Sequence, residues 1–248
     1  MELKRKQGFY EKYIKRLLDI LCSLVTIAVF WWLYLIIALL VKIKLGSPVI
    51  FKQPRPGMVD PATGRETIFY MIKFRTMTNE RDQNGELLPD EQRLTNFGRF
   101  LRATSLDEIP EVFNVLRSDM SIIGPRPQLV RDMVFMTDKQ RMRHTAKPGI
   151  SGLAQTHGRN AISWDEKLTW DLKYIERVSF ISDLKLVLRT AGQVFVRKKD
   201  DINAAETDLE LDYGDVLLNE GRITETYYKK KQAEARELLM ELDKERKI

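Results

Sequence analysis

Residues 20 to 41 read ILCSLVTIAVFWWLYLIIALLV, and no charge interrupts them. As a helix this run is roughly 33 Å long at about 1.5 Å per residue. The hydrocarbon core of a bilayer is about 30 Å thick. A removable signal peptide is a poor fit, because the run is long and no A-x-A-like cleavage site follows it. A helix buried in a soluble protein is rarely apolar on every side. The run is therefore expected to insert into a membrane. Lys4, Arg5, Lys6, Lys12, Lys15 and Arg16 precede it, and Lys42, Lys44, Lys52 and Arg55 follow it. Basic flanks favour the cytoplasm, and here both flanks are basic. A re-entrant helix, entering and leaving through one leaflet, satisfies both. That requires a bend, yet Pro and Gly, the usual causes, are absent from Phe9 through Leu45. Ser23 and Thr26 can bend a helix only slightly. A straight span with an accidental charge balance is the plainer alternative.

The net charge of +6 favours anionic partners such as phosphates, lipid head groups or nucleic acid. No stacking-aromatic or helix-turn-helix pattern supports nucleic acid. The single cysteine, Cys22, cannot close an internal disulfide, which fits a reducing compartment. Two histidines, His144 and His157, are too few for a His-rich metal site, and no P-loop or H-E-x-x-H pattern occurs.

Beyond the apolar run the pattern predicts an α+β chain, mainly helical, with a small β-hairpin element. GSPVIFKQPRPG and TIFYMIKFRTM read as two strands joined across DPATG. Residues 78 to 95 are polar and read as a loop. NFGRFLRA reads as a short amphipathic helix, and a second helix is expected from about residue 109 to Leu116. A longer helix is expected from Leu129 to His144, and two more over 164 to 177 and 182 to 198. The expected units are an anchor over 1–45, a catalytic domain over 46–198, and an acidic linker with a charged helix over 199–248. Leu238, Leu239 and Leu242 give that last helix an apolar strip. It is open to solvent exposure, to a partner, or to a second copy of the chain in a homo-oligomer.

RATSLDEIPEVFNVL, residues 102 to 116, places Asp107 beside Glu108 just ahead of Pro110. Ser105 and Glu108 have capping-box spacing, which is the structural reading. Pro110 opposes it, because it would be the fifth residue of such a helix and lacks the N–H needed there. If the helix starts near Pro110, the acids lie at its positive end. Adjacent residues do not share a face. One acid can then attack an electrophile while the other holds a cation. Arg126 stands between two prolines in SIIGPRPQ, suited to bidentate phosphate binding or simply to a solvated loop. Lys73 and Arg75 alternate along a strand, facing either a phosphate or solvent.

KRLLDI, IKFRTM, SLDEIPEVFNVLRSDMSIIGPRP and PGISGLAQTHGRNAISWDEKLTWDLKYI, in this order, resemble the bacterial sugar transferase family, the monotopic phosphoglycosyl transferases. The likeness runs from about residue 5 to residue 197 and is closest to the single-domain PglC type. It implies an enzyme of the bacterial inner membrane with its catalytic domain on the cytoplasmic face. Asp107 is then the nucleophile that attacks the β-phosphate of a UDP-sugar and releases UMP. Polyprenyl phosphate takes the phosphosugar from the resulting acyl phosphate. Glu108 is expected to hold Mg²⁺. Lys73, Arg102 and Arg126 match basic positions near the phosphates, Arg159 a nucleotide position, and Asp183 an acid near the site. Asp183 also fits an ordinary helix start after Ser182. The closeness to the PglC type suggests an N-acetylated sugar, with hexoses open.

Two features depart from the family pattern. Trp31-Trp32 stand where the family commonly breaks the membrane helix with Ser-Pro, and the segment from Met58 to Glu66 is longer than expected. LVRDMVFM, residues 129 to 136, fits either an apolar face in the membrane interface or core packing. The competing function is a catalytically silent membrane scaffold of a polysaccharide assembly complex, against which the intact Asp107-Glu108 pair argues.

Overall fold

The computed structural model describes residue 3 and residues 5–158, 162–195 and 211–245. A π-helical turn over Tyr10–Ile14 leads into helix α1, Lys15–Leu45. The helix persists for 31 residues because no Pro or Gly interrupts it. It ends at Gly46, which adopts φ 81° while its N–H still reaches the Lys42 carbonyl. Lys42 and Lys44 in the last turn favour the negative end of the dipole. Tyr10–Leu45 is long and apolar enough to cross a membrane, with mean hydropathy 2.7 in its most apolar window.

Helix α1 is not free of the folded domain. Asp19 and Ser23 near the start, and Ile37, Val41 and Leu45 toward the end, are buried at four-residue spacings within each group, so a stripe of the helix faces protein at both places. Leu24, Val25, Val29, Trp31, Trp32, Leu35 and Ile36 on its other sides are exposed.

Strands β1, Ile50–Val59, and β2, Glu66–Phe74, form the expected antiparallel hairpin. Its register breaks between Pro56 and Val59, and the longer Met58–Glu66 segment becomes the hairpin's tip. Helix α2, Asn96–Thr104, is capped by the Thr95 side chain. A 3-10 turn over Leu106–Glu108 precedes helix α3, Glu111–Leu116, with Pro110 at its N-cap. A short parallel pair follows, β3 (Ser121–Ile123) beside β4 (Gly149–Ser151). Glycine is required here: a Cβ on Gly149 would lie 2.1 Å from the Gly124 nitrogen. Helices α4, Trp164–Glu176, and α5, Phe180–Phe195, complete this part of the domain.

The single helix expected from Leu129 to His144 is three pieces: Val130–Met133, Asp138–Arg141 and a 3-10 turn over Met142–Thr145. The break is chemical. Thr137 starts a new helix with a capping box, its hydroxyl accepting from the Gln140 N–H and the Gln140 side chain returning to the Thr137 N–H. The segment's Val130, Met133, Val134, Phe135 and Met136 are core residues rather than a membrane face.

The expected acidic linker falls largely within 196–210, outside the described residues, as do the last residues of the helix expected to end at 198. Beyond it, α6 (Tyr213–Asn219) and α7 (Glu225–Glu245) pack on the domain. Tyr213, Leu217 and Ala235 join Phe135, Trp164 and Leu168 in one core cluster, with Leu238 and Leu239 against it. The C-terminal helix is therefore part of the fold, not a solvated tail.

Candidate active site

Asp107 occupies a corner between two helices. Helix α2 terminates because Ser105 takes a left-handed conformation, φ 55° and ψ 21°, with its N–H on the Arg102 carbonyl. A non-glycine residue in that region is uncommon and concentrates at functional sites. The chain then makes its 3-10 turn and restarts at Pro110. Ser105 makes no side-chain cap, so the S-x-x-E spacing is not a capping box. The corner leaves Asp107 buried beside Glu108.

Glu108 is gripped by two cations. Lys73 Nζ donates to its Oε1 at 2.8 Å, and an Arg126 Nη donates to the same oxygen at 2.6 Å. Burial alone would raise the Glu108 pKa, but Arg126 and Lys73 outweigh it and hold the carboxyl far below its usual range. Asp107 goes the other way. Burial first, then the Glu108 charge, pushes it up to about 6, against the pull of Lys73, Arg102 and Arg126. Neighbouring carboxylates thus carry separated affinities for a proton, a pattern typical of reacting sites. The Arg126 side chain is 41 % exposed and opens into the cavity. Arg102 donates from Nε to Thr76 Oγ1 at 3.1 Å, and among the described residues no carboxylate pairs with it.

These groups share a cavity of about 550 Å³ lined by Lys73, Arg102, Asp107, Glu108 and Arg126. Lys73 arrives from β2, and Asn114 on α3 sets that strand. Its amide accepts from the Ile72 N–H at 3.1 Å and donates to the Tyr70 carbonyl at 2.8 Å. Thr26 of α1 lines the same cavity, so the apolar helix borders the site.

Asp183 departs from the expectation. It is absent from the cavity lining and accepts from Tyr10 and Tyr174, each at 2.9 Å, and from Lys15. It ties the N-terminal turn to α4 and α5, because its helix faces that turn. Arg75 is also elsewhere: it is buried and donates to the Ser47 carbonyl at 2.8 Å. Arg159 lies outside the described residues.

Two residues at the site are not among the candidates that the sequence offers. Arg55 lines the cavity, and its buried Nε has no hydrogen-bond partner among the described residues. It donates to the Pro127 carbonyl at 3.0 Å, and burial with the nearby Arg126 charge lowers it to about 10. The signal was in the sequence: Pro54-Arg55-Pro56 repeats the tripeptide Pro125-Arg126-Pro127. Glu111 is the other. It is buried 3.3 Å from Lys73 Nζ, and burial, opposed by Lys73 and reinforced by Glu108, raises it to about 7. Pro110 hid it by making Glu111 look like an ordinary first-turn acid.

Residues 10–197 match the family model described as bacterial sugar transferase. The chain belongs to this family. EpsL of Bacillus subtilis (strain 168), an uncharacterized sugar transferase, is 46% identical over 74% of this chain and 88% of its own length. A UDP-glucose:undecaprenyl-phosphate glucose-1-phosphate transferase of Xanthomonas campestris pv. campestris is 37% identical over 74% of this chain and 39% of its own. A UDP-N-acetylgalactosamine-undecaprenyl-phosphate N-acetylgalactosaminephosphotransferase of Aeromonas hydrophila is 37% identical, over 72% and 43%. The chain thus spans less than half the length of the last two sugar transferases.

The donor set also bears on a metal. Among the described residues no three His, Cys, Asp or Glu side chains gather as a cage. Mg²⁺ at phosphates commonly takes only one or two protein carboxylates, the rest coming from substrate and water. Glu108 fits that mode: both of its cation contacts fall on Oε1, and Oε2 carries no hydrogen bond among the described residues.

Proposed function

We propose that this membrane-associated enzyme moves a phosphosugar from a UDP-sugar to polyprenyl phosphate, with undecaprenyl phosphate the natural carrier. The single observation that carries this reading is the buried Asp107 beside a Glu108 held by Lys73 and Arg126 in one cavity. The names of the relatives support the substrate pair. An Asp107 carboxylate oxygen attacks the β-phosphorus. The bond from that phosphorus to the bridging oxygen breaks, and UMP leaves with the electron pair. Polyprenyl phosphate then attacks the acyl phosphate, forms polyprenyl-diphosphate-sugar and returns Asp107 as a carboxylate. Such covalent catalysis splits one displacement into two. Arg102 and Arg126 hold the diphosphate oxygens, and Arg55 Nε offers a further donor. Glu108 would hold Mg²⁺, which when bound supplies charge neutralisation for the diphosphate.

The acceptor's prenyl chain leaves lipid at a cost of about 0.8 kcal/mol per CH₂, so the site has to stay near the head groups. Helix α1 beside the cavity is suited to that. We read α1 as re-entrant, in the inner membrane with the domain in the cytoplasm where UDP-sugars are. The support is that the first turns and the second half of the helix are bonded to the same domain, and that Val41 and Leu45 at its end pack with Phe74. Arg16 donates to the Val115 and Leu116 carbonyls and Asp19 accepts from Ser121 Oγ at 3.0 Å, while Tyr34 donates to the Ile109 carbonyl at 2.8 Å. A straight transbilayer span would carry one of those parts across the membrane. In place of Ser-Pro, Trp32 Nε1 donates to the Val29 carbonyl at 3.0 Å and Thr26 to Cys22 at 2.8 Å, drawing on carbonyls of the helix ladder.

The test is direct. Membranes carrying the protein are mixed with polyprenyl phosphate, Mg²⁺ and each of UDP-glucose, UDP-galactose, UDP-N-acetylglucosamine and UDP-N-acetylgalactosamine, and UMP is measured. Release with at least one donor is expected, and silence with all four would overturn the reading. Labelled donor alone should leave a phosphosugar on residue 107.

A further inference from the structure

The cavity has a second half that the phosphate chemistry does not use. Away from the cationic cluster it is lined by Ser151, Gln155, Asp171, Thr190 and Gln193. Most of these side chains are already bonded. Ser151 Oγ and Thr190 Oγ1 lie 2.6 Å apart, and Gln193 donates to the Thr156 carbonyl at 3.1 Å. Two buried acceptors are different. Among the described residues, Gln155 Oε1 and Asp171 Oδ1 have no hydrogen-bond partner.

Both acceptors are held in place. The Gln155 amide nitrogen donates to the Ile150 carbonyl at 3.3 Å, which fixes the orientation of its oxygen. Gly152 makes room for it, since a Cβ there would lie 2.7 Å from Gln155 Oε1. Asp171 is almost fully buried, and Arg143 Nε and Nη2 both donate to its Oδ2, at 2.9 and 2.6 Å. The ion pair neutralises the carboxylate and leaves Oδ1 over. Buried polar atoms in native proteins are nearly always paired, so each orphan asks for a donor. Two side chains that carry orphan acceptors and line one cavity, beside a cationic cluster, match a ligand that carries hydroxyl donors next to phosphate.

We propose that Gln155 and Asp171 form a hydroxyl-recognition subsite, accepting hydrogen bonds from sugar hydroxyls of the nucleotide-sugar, on its pyranose or its ribose. The inference rests on the cavity being the UDP-sugar site. It makes these residues determinants of donor choice. A site built to hydrogen-bond a hydroxyl discriminates strongly against the analogue lacking it. Arg143 Nη2 also donates to the Arg126 carbonyl, so the subsite is linked mechanically to the phosphate arginine.

The experiment couples protein and substrate changes. The best of the four donors is compared with its monodeoxy-pyranose analogues and with its 2′-deoxy and 3′-deoxy ribose analogues. Each is assayed as kcat/KM on wild type, Gln155→Met and Asp171→Asn. In wild type, removing the recognised hydroxyl is expected to cost about tenfold or more. In the variant lacking its acceptor, the same analogue should cost less than about threefold relative to the intact donor. The sugar on which that coupling appears identifies the source of the hydroxyl. Asp171→Asn disturbs a buried ion pair and can fail to fold. Gln155→Met, which keeps volume and loses only the amide, then carries the test alone. Full, independent losses on every analogue would overturn the inference while leaving the transferase intact. No UMP from wild type with any donor would overturn the transferase reading and this inference with it.

Discussion

Asp107 carries a cost that the proposed chemistry explains. Its pKa of about 6 in the fold stands above the ordinary 3.8, chiefly through burial. Folding therefore takes up a proton between those values, and at pH 7 holding the group ionised opposes stability. Asp107→Asn removes that cost. It is expected to abolish UMP release while raising stability at pH 7 by on the order of 2 kcal/mol. Denaturant melts beside the UMP assay read both. The same pKa sets a pH dependence. In the proposed reaction only the carboxylate attacks phosphorus, so kcat/KM is expected to fall below pH about 6, approaching tenfold per unit. A profile flat from pH 7 to pH 5 would contradict the assignment.

At the scale of elements, the site is made by a junction. Helix α3 and strand β2 are joined by Asn114, whose amide serves the Ile72 N–H, the Tyr70 carbonyl and Asp119. That bond fixes the distance between the turn carrying Glu108 and the strand carrying Lys73. Asn114→Ala would leave the Ile72 N–H and the Tyr70 carbonyl without their partner in a buried place. A loss of about 2–4 kcal/mol is expected by chemical denaturation, from about 1–3 kcal/mol for each unmet group. Arg16 acts similarly from α1. Its guanidinium takes the Val115 and Leu116 carbonyls at the open C-terminal end of α3, joining the apolar helix to the element that follows Asp107.

For the whole molecule, sidedness is the decisive property. With Cys22→Ser as background, Gln7→Cys and Asp82→Cys report on the two sides of α1. A membrane-impermeant maleimide is expected to label both from the same face of oriented vesicles. Labelling from opposite faces would make α1 a span. The C-terminal helices enlarge the molecule beyond residues 10–197, the part matched by the family. They cover Phe135 and Trp164, and Asp132 joins them to the loop after Arg126 by accepting from the Tyr213 and Leu129 N–H groups at 3.0 and 3.1 Å.

The apolar run, the hairpin, and the helices following Pro110 and Ser163 were legible because local chemistry sets them. Apolar length, strand alternation, turn residues and caps all act over a few neighbours. The pairing of Asp107 with Glu108 was legible for the same reason. Thr137-Asp-Lys-Gln is equally local: its capping box divides what the apolar periodicity alone predicts as one helix. Other features depend on contacts between residues far apart in sequence. Lys73 meets Glu108 across 35 positions, Asp183 meets Lys15 across 168, and Arg55 meets Pro127 across 72. Periodicity carries no term for such separations. Only tertiary packing decided which arginines face the cavity, that Asp183 ties down the N-terminal turn, and that Gln155 and Asp171 keep acceptors unmet among the described residues. Desolvation and charge at each place are set by what the fold brings beside it, and no short stretch of sequence contains that information.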